Sequence, residues 1–297
     1  MKKISLSPED FWIHQWTSAL GQQPKSGIRH SIGHDCAVLS PFSNQLDLVL
    51  KTDAVVEGVH FTPSTPAALA GRKALARALS DLAAAGATPR AALLTVGCPN
   101  ARSAPRLRQA YRGLSLLAKK FHLPIVGGET VRTRQLLLSV SLLGTVPKNT
   151  SPNRSGAKPG HLLFVTGKLG GSWPRRHLTF TPRLAEGQWL VRNKFPSAML
   201  DLSDGLGADL PRLARSSRIG FQIHPDQIPL SPGTTPKLAF TRGEDYELLF
   251  SVPPKLAPAL LRRWPFTTPL TLIGSCLPIR QGYHTGGLPL RGYDHLR

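Results

Sequence analysis

Residues 45–56 read QLDLVLKTDAVV and residues 67–85 read AALAGRKALARALSDLAAA, and these two stretches decide the fold class. In the first, Leu46, Leu48 and Leu50 alternate with Asp47, Val49 and Lys51, the period-two pattern of a strand. The second is rich in Ala, Leu, Arg and Lys, all good helix formers, and is stopped by Gly86 and Pro89. Outward from these, 91–96 reads as a strand. Residues 107–121 read as a helix with Leu107, Tyr111, Leu114, Ala118 and Phe121 at helical spacing. A short strand, 123–126, runs into Gly127-Gly128, and 135–146 is another strand. Residues 147–160, rich in Pro, Asn, Ser and Gly, read as a linker. Beyond it, strands are predicted over 162–166, 198–202, 246–252 and 270–274, with helices over 208–216 and 254–264. Both halves mix strands with helices, which predicts two α/β domains, 1–147 and 148–297.

The 297 residues carry 37 Lys and Arg against 17 Asp and Glu, a formal charge of +20, with 41% hydrophobic residues. This is an ordinary globular composition, long enough for two cored domains. Apolar stretches such as 136–146 are interrupted and fall short of the roughly 20 residues of a spanning helix, so no membrane partner is expected. Lys2 and Lys3 have no apolar run behind them, so no secretory signal is expected. Cys36, Cys98 and Cys276 lie far apart, which argues against a disulfide framework or structural zinc and for a reducing, cytoplasmic setting. The basic residues are dispersed: Arg106, Arg108, Arg112 and Arg212, Arg215, Arg218 are spaced like solvated helix faces. Charge alone leaves a nucleic-acid role open, but no sequence-specific nucleic-acid partner is expected.

The scarce acids are placed unevenly. They concentrate in short motifs at Gly33-His34-Asp35, Thr52-Asp53, Ser80-Asp81, Gly128-Glu129-Thr130 and Asp201-Leu202-Ser203-Asp204-Gly205. A P-loop is absent, since Gly167-Lys168 is followed by Leu169. A dinucleotide fingerprint is absent too, since Gly205-Leu206-Gly207 is followed by Ala208, Asp209 and Leu210. Carboxylates can instead handle phosphates through Mg²⁺, which takes oxygen ligands and keeps waters. Any one of these acids could merely cap a helix or fill an Asx turn, as Asp204 before Gly205-Leu206 would. Five such motifs together point to metal.

The strings GHDCAVL (33–39), TDAVVEGVHF (52–61), LSDLAAAGA (79–87), VGGET (126–130), SGAKPG (155–160), DLSDGL (201–206), GEDYEL (243–248) and GYDH (292–295) extend over nearly the whole chain. In them, and in their order, the chain resembles the thiamine-monophosphate kinases, a branch of the aminoimidazole ribonucleotide synthetase-like superfamily. The resemblance implies a mixed α/β fold with an N-terminal sheet domain that dimerises and a C-terminal α/β domain that closes the active site. It implies ATP-dependent phosphorylation of thiamine monophosphate to thiamine diphosphate, with several Mg²⁺ ions, no covalent nucleophile and a homodimeric enzyme. Asp35, Thr52, Asp53, Asp81, Glu129, Asp201 and Asp204 match the family's metal positions. Tyr111, Gly128, Glu129, Arg154 and Ser203 match its ATP contacts, and His60, Glu244 and Tyr293 its contacts with thiamine monophosphate. Such chemistry asks mainly for positioning and charge neutralisation, and a phosphate acceptor needs no strong base. Two other readings stay open: a superfamily relative acting on another phosphate or acyl-phosphate, and a non-catalytic nucleotide- or nucleic-acid-binding descendant.

The chain also departs from the pattern. His34 precedes Asp35 where the family usually has two adjacent acids, and Lys51 stands where it often has a small hydroxyl residue. Glu129 replaces the usual Asp, which moves the carboxylate outward by about 1.5 Å. After residues 166–172, Trp173-Pro174 leads almost directly into 177–183, and the proline predicts loss of a helix found there in the family.

Overall fold

A computed structural model of the chain describes residues 8–18 and 27–295; Lys2 and Lys3 lie outside them. The first half forms α1 (Pro8–Ser18), β1 (Ile28–His30), β2 (Ala37–Leu39), β3 (Leu46–Val56), α2 (Ala67–Ala84), β4 (Thr88–Cys98), α3 (Ala104–Lys120), β5 (Ile125–Arg132) and β6 (Leu137–Pro147). Its strands make one sheet in the order β1-β2-β3-β6-β4-β5. All pairs are antiparallel except β4 and β5, which α3 joins as a parallel crossover. The second half forms β7 (Leu162–Thr166), α4 (His177–Thr179), α5 (Leu184–Arg192), β8 (Ala198–Asp201), α6 (Leu206–Ser217), β9 (Ile219–Ile223), α7 (Pro236–Thr241), β10 (Leu248–Val252), α8 (Ala257–Arg263), β11 (Leu270–Pro278) and β12 (Tyr283–His284). These strands make a second sheet, β12-β9-β11-β7-β10-β8. The architecture is mixed α/β, as the sequence predicts.

Helix α2 lies where the two sheets meet. Its Leu75, Leu79 and Leu82 share one core with Val49 and Val140 of the first sheet and Phe164, Met199 and Phe250 of the second. Along β7 the neighbours Leu163 and Val165 belong instead to a second core with Leu210, Phe221 and Phe240, so the second sheet is covered on both faces. Each such buried side chain contributes roughly 1.5–3 kcal/mol. Glycines set how closely α2 is held. A Cβ on Gly71 would sit 1.9 Å from Ala110 O, and one on Gly113 would sit 1.8 Å from Ala68 O. The α2 and α3 backbones therefore touch where only glycine fits.

Strand β3 decides where the chemistry points. Its inner face, toward α2, carries Asp47, Val49, Lys51, Asp53 and Val55, whereas Leu46, Leu48 and Leu50 face outward and are half-buried or exposed. The face richest in leucine is thus not the core face. Strand β5 continues through Gly127-Gly128 to Arg132 because Gly128 pairs with Leu94 at a distance no Cβ would allow, 1.9 Å from Leu94 O. Residues 172–176 form one wide turn running into the three-residue α4, and no long helix occupies 172–183. A helix returns at α5.

Candidate active site

One face of α2 carries the site's charges. Lys73, Arg77 and Asp81 are four residues apart, with Ser80 beside them, so they align along the helix. Asp81 meets Lys51 of β3, with Nζ 2.9 Å from Oδ1. Ser80 Oγ donates to Asp201 Oδ2 at 2.5 Å, at the end of β8. Arg77 lies 3.3 Å from Asp53 and donates to Ala54 O at 3.1 Å. Lys73 Nζ donates to Glu244 Oε1 and to His60 O, each at 2.6 Å. A single helix therefore registers residues from both sheets against one another.

At the C-terminal end of this face, one carboxylate oxygen each of Asp35, Asp81 and Asp201 lies within 4.8 Å of the others. Asp35 reaches the cluster from the loop before β2, where Arg154 Nη2 donates to it at 2.7 Å and Arg154 Nη1 to Gly33 O at 3.3 Å. Burial raises Asp81 well above the usual carboxylate range; Lys51 opposes this, and Asp201 and Asp53 add to it. Burial and the Asp35 charge push Asp201 up to about 7. Converging, oxygen-only donors, two of them (Asp81 and Asp201) buried carboxylates that resist ionisation, make the donor set of a hard divalent cation. The residues fit Mg²⁺.

Toward the N-terminal part of α2 a pocket opens, lined among others by His60, Arg77, Trp173, Ser203, Glu244 and Tyr293. The motif from 243 to 248 divides its labour. Asp245 is buried and accepts from Gly170 N–H, Ser172 Oγ and Arg176, while Glu247 accepts from Arg183 and Thr166 Oγ1. These anchors hold Glu244 and Tyr246 in left-handed conformations, with φ of 67° and 52°, and present Glu244 to the pocket. Burial alone would raise Glu244, but the His177 hydrogen bond and the Lys73 charge outweigh it and hold it at about 2. Burial lowers Lys73 to about 8 despite Glu244. Burial, then the Arg77 and Lys73 charges, push His60 down to about 3. Neutral His60 accepts Val56 N–H at Nδ1, which leaves the proton on Nε2. Trp173 stacks on His177 with ring centroids 4.0 Å apart, and the indole is 42% exposed.

The sequence-predicted residues fall into three sets. Asp35, Asp81 and Asp201 form the acid cluster, with Arg154 on its edge. His60, Ser203, Asp204, Glu244 and Tyr293 line the pocket. Asp53 lies between, joined to the pocket through Arg77. Asp204 does not cap α6; Gly205 occupies that position, and the Asp204 carboxylate pairs with Arg212. Thr52 is exposed on the outer face of β3, its hydroxyl 3.0 Å from Ser141 Oγ. Glu129 and Gly128 lie exposed on β5, Glu129 accepting from Thr130 N–H, and Tyr111 is exposed on α3. Sequence reasoning missed Lys73, Arg77, Trp173 and His177. The repeat of charge at every fourth residue in an Ala- and Leu-rich helix was the available signal for the first two.

Comparison with known proteins follows this geometry. The family described as AIR synthase related protein, N-terminal domain, matches residues 33–146, the span that holds the first sheet from β2 onward, α2 and α3. Residues 33–146 thus form a domain of the AIR synthase-related class. The thiamine-monophosphate kinase of Rhodopirellula baltica is 36% identical over 262 residues, covering 82% of each chain. That of Salmonella typhimurium is 34% identical over 304 residues, covering 90% of this chain and 92% of its own. The solved structure of AaThiL complexed with AMPPCP and TMP superposes with a TM-score of 0.83 at 27% identity, covering 99% of this chain and 100% of that one. The chain belongs to the thiamine-monophosphate kinase family.

Proposed function

We propose that the protein transfers the γ-phosphoryl group of ATP to thiamine monophosphate, giving thiamine diphosphate and ADP, directly and with Mg²⁺. The observation that carries this is the α2 face, which sets a carboxylate cluster and an aromatic-walled pocket along one line, in a chain 36% identical to a thiamine-monophosphate kinase. Asp35, Asp81 and Asp201 would hold the metal, with Asp53 and Asp204 beside them, and Thr52 and Glu129 as further candidates. Bound Mg²⁺ supplies neutralisation of charge on the phosphate oxygens. The chain's own residues do the rest. Arg154 holds Asp35 in place and offers positive charge near the nucleotide; Gly128, Glu129, Tyr111 and Ser203 are its further nucleotide contacts. His60 offers Nε2–H, and Glu244, kept ionised beside the Lys73 ammonium, offers an anion to the cationic thiamine ring system; Tyr293 completes the pocket. The acceptor is a phosphate, so no side chain need remove a proton.

In this reading residues 1–147 hold metal and ATP and pair with a second copy, and 148–297 close the active site. No helix among the described residues is long and apolar enough to cross a membrane. Free Cys36, Cys98 and Cys276 suit a cytoplasmic setting. A ³¹P NMR assay with ATP, thiamine monophosphate and Mg²⁺ tests the function: thiamine diphosphate signals must appear with ADP and vanish when EDTA is added. ADP formed with inorganic phosphate alone would refute it.

A further inference from the structure

Lys51 has no role in the site as built so far, yet it sits inside it. It projects from the inner face of β3, its side chain is only 21% exposed, and its ammonium is 2.9 Å from Asp81 Oδ1. The length of a lysine would let it reach solvent; here the ammonium turns to the acid cluster instead. The three carboxylates have unequal partners. Asp35 has the Arg154 guanidinium, Asp81 has Lys51, and Asp201 has the Ser80 hydroxyl.

Once all three are ionised, as metal ligands must be, three negative charges face two fixed positive ones, and one charge is left to compensate. Without Lys51 two charges would be left, the complement of one whole divalent ion. An ammonium is a compact point charge with three donors and no acceptor, so it can occupy a cation position but cannot share a carboxylate oxygen with a metal at contact distance without repulsion.

We propose that Lys51 is a built-in monovalent cation of the acid cluster: it claims Asp81 and weakens loading of the one divalent-cation position that Asp35, Asp81 and Asp201 form. This rests on the reading of Asp35, Asp81 and Asp201 as the Mg²⁺ site. The residue is a positioning residue, acting through Asp81.

The test is a titration of nucleotide-free protein with Mn²⁺, followed by the electron paramagnetic resonance signal of the free ion. Lys51→Met is expected to bind Mn²⁺ about tenfold more tightly than the wild type, while Lys51→Arg keeps the wild-type affinity. Wild type and Lys51→Met binding Mn²⁺ with the same affinity would overturn the role of Lys51 and leave the metal site standing. Absence of binding by all three proteins would overturn the metal site and the role with it. Lys51→Met leaves Asp81 without its cation and can melt too low to titrate. Thermal melts of Lys51→Gln with and without Mn²⁺ then decide: a larger Mn²⁺-dependent rise in Tm than in the wild type supports the proposal, and an equal rise contradicts it.

Discussion

At Glu244 a carboxylate stays ionised in a buried pocket because the Lys73 ammonium donates to it at 2.6 Å, with His177 Nδ1 2.9 Å from its other oxygen. A charge-assisted hydrogen bond such as that from Lys73 is worth roughly 1.5–3 kcal/mol. Removing the charge removes both the grip and the anion offered to substrate. Glu244→Gln should raise the KM for thiamine monophosphate at least about tenfold, the lower end of that range, with kcat changed far less. The same substitution has a pH signature. The folded pKa of about 2 lies below the ordinary 4.5, so the stability Glu244 contributes is fully present above 4.5 and is lost as pH falls through 2. Denaturant melts should therefore show a wild-type advantage over Glu244→Gln that is constant from pH 4.5 up to the approach to the Lys73 value of about 8, and shrinks in stronger acid. An advantage that grows on acidification would contradict the assignment.

Among the elements, α2 bears the greatest constraint, since it must touch both sheets and α3 at once. Gly113→Ala would place a methyl group 1.8 Å from Ala68 O, so α3 must move away from α2. Overpacking of this kind costs about 1–3 kcal/mol, and chemical denaturation should report a loss of that size with activity falling alongside; an unchanged midpoint would count against the close crossing. The same helix shows what could be read in advance. Its composition and its Gly86 stop predict residues 67–85, and the structure gives Ala67–Ala84. Strand β3 is equally legible as a strand, but not its orientation. Alternation identifies two faces, and only the position of α2 decides that Lys51 and Asp53 point inward while Leu48 and Leu50 do not. Strands β1, β2 and β12 are two or three residues long, too short for any periodicity to register. Asp35, Asp81 and Asp201 are legible through short motifs, because this basic chain concentrates its few acids in them. Arg154 and Lys51 are legible only through the resemblance and Arg77 only through its spacing from Lys73 and Asp81; that they pair with Asp35, Asp81 and Asp53 respectively is decided by the fold.

For the whole molecule, the outward face of the first sheet and the positive charge each carry a consequence. Leu50, Leu93 and Val126 are exposed on β3, β4 and β5, with Val126 64% exposed. Apolar surface of this extent on a sheet face suits a twofold contact with a second copy. Light scattering should give a dimer for the wild type and a monomer for Leu93→Glu; a monomeric wild type would contradict the pairing. The +20 charge supplies a field for two anionic substrates, and exposed charges are screened over about 8 Å at physiological salt. Added salt should therefore lower kcat/KM for thiamine monophosphate while kcat stays nearly constant, and equal loss in both would argue against steering. The central claim is that the carboxylates aligned by α2 hold the Mg²⁺ that makes transfer possible. The rate of thiamine diphosphate formation as a function of Mg²⁺, compared between the wild type, Asp53→Asn and Asp81→Asn, tests it most directly. The account predicts saturable Mg²⁺ dependence in the wild type and at least about a hundredfold lower kcat in each variant, with cooperative folding retained. Near-wild-type turnover of either variant at saturating Mg²⁺ would contradict it.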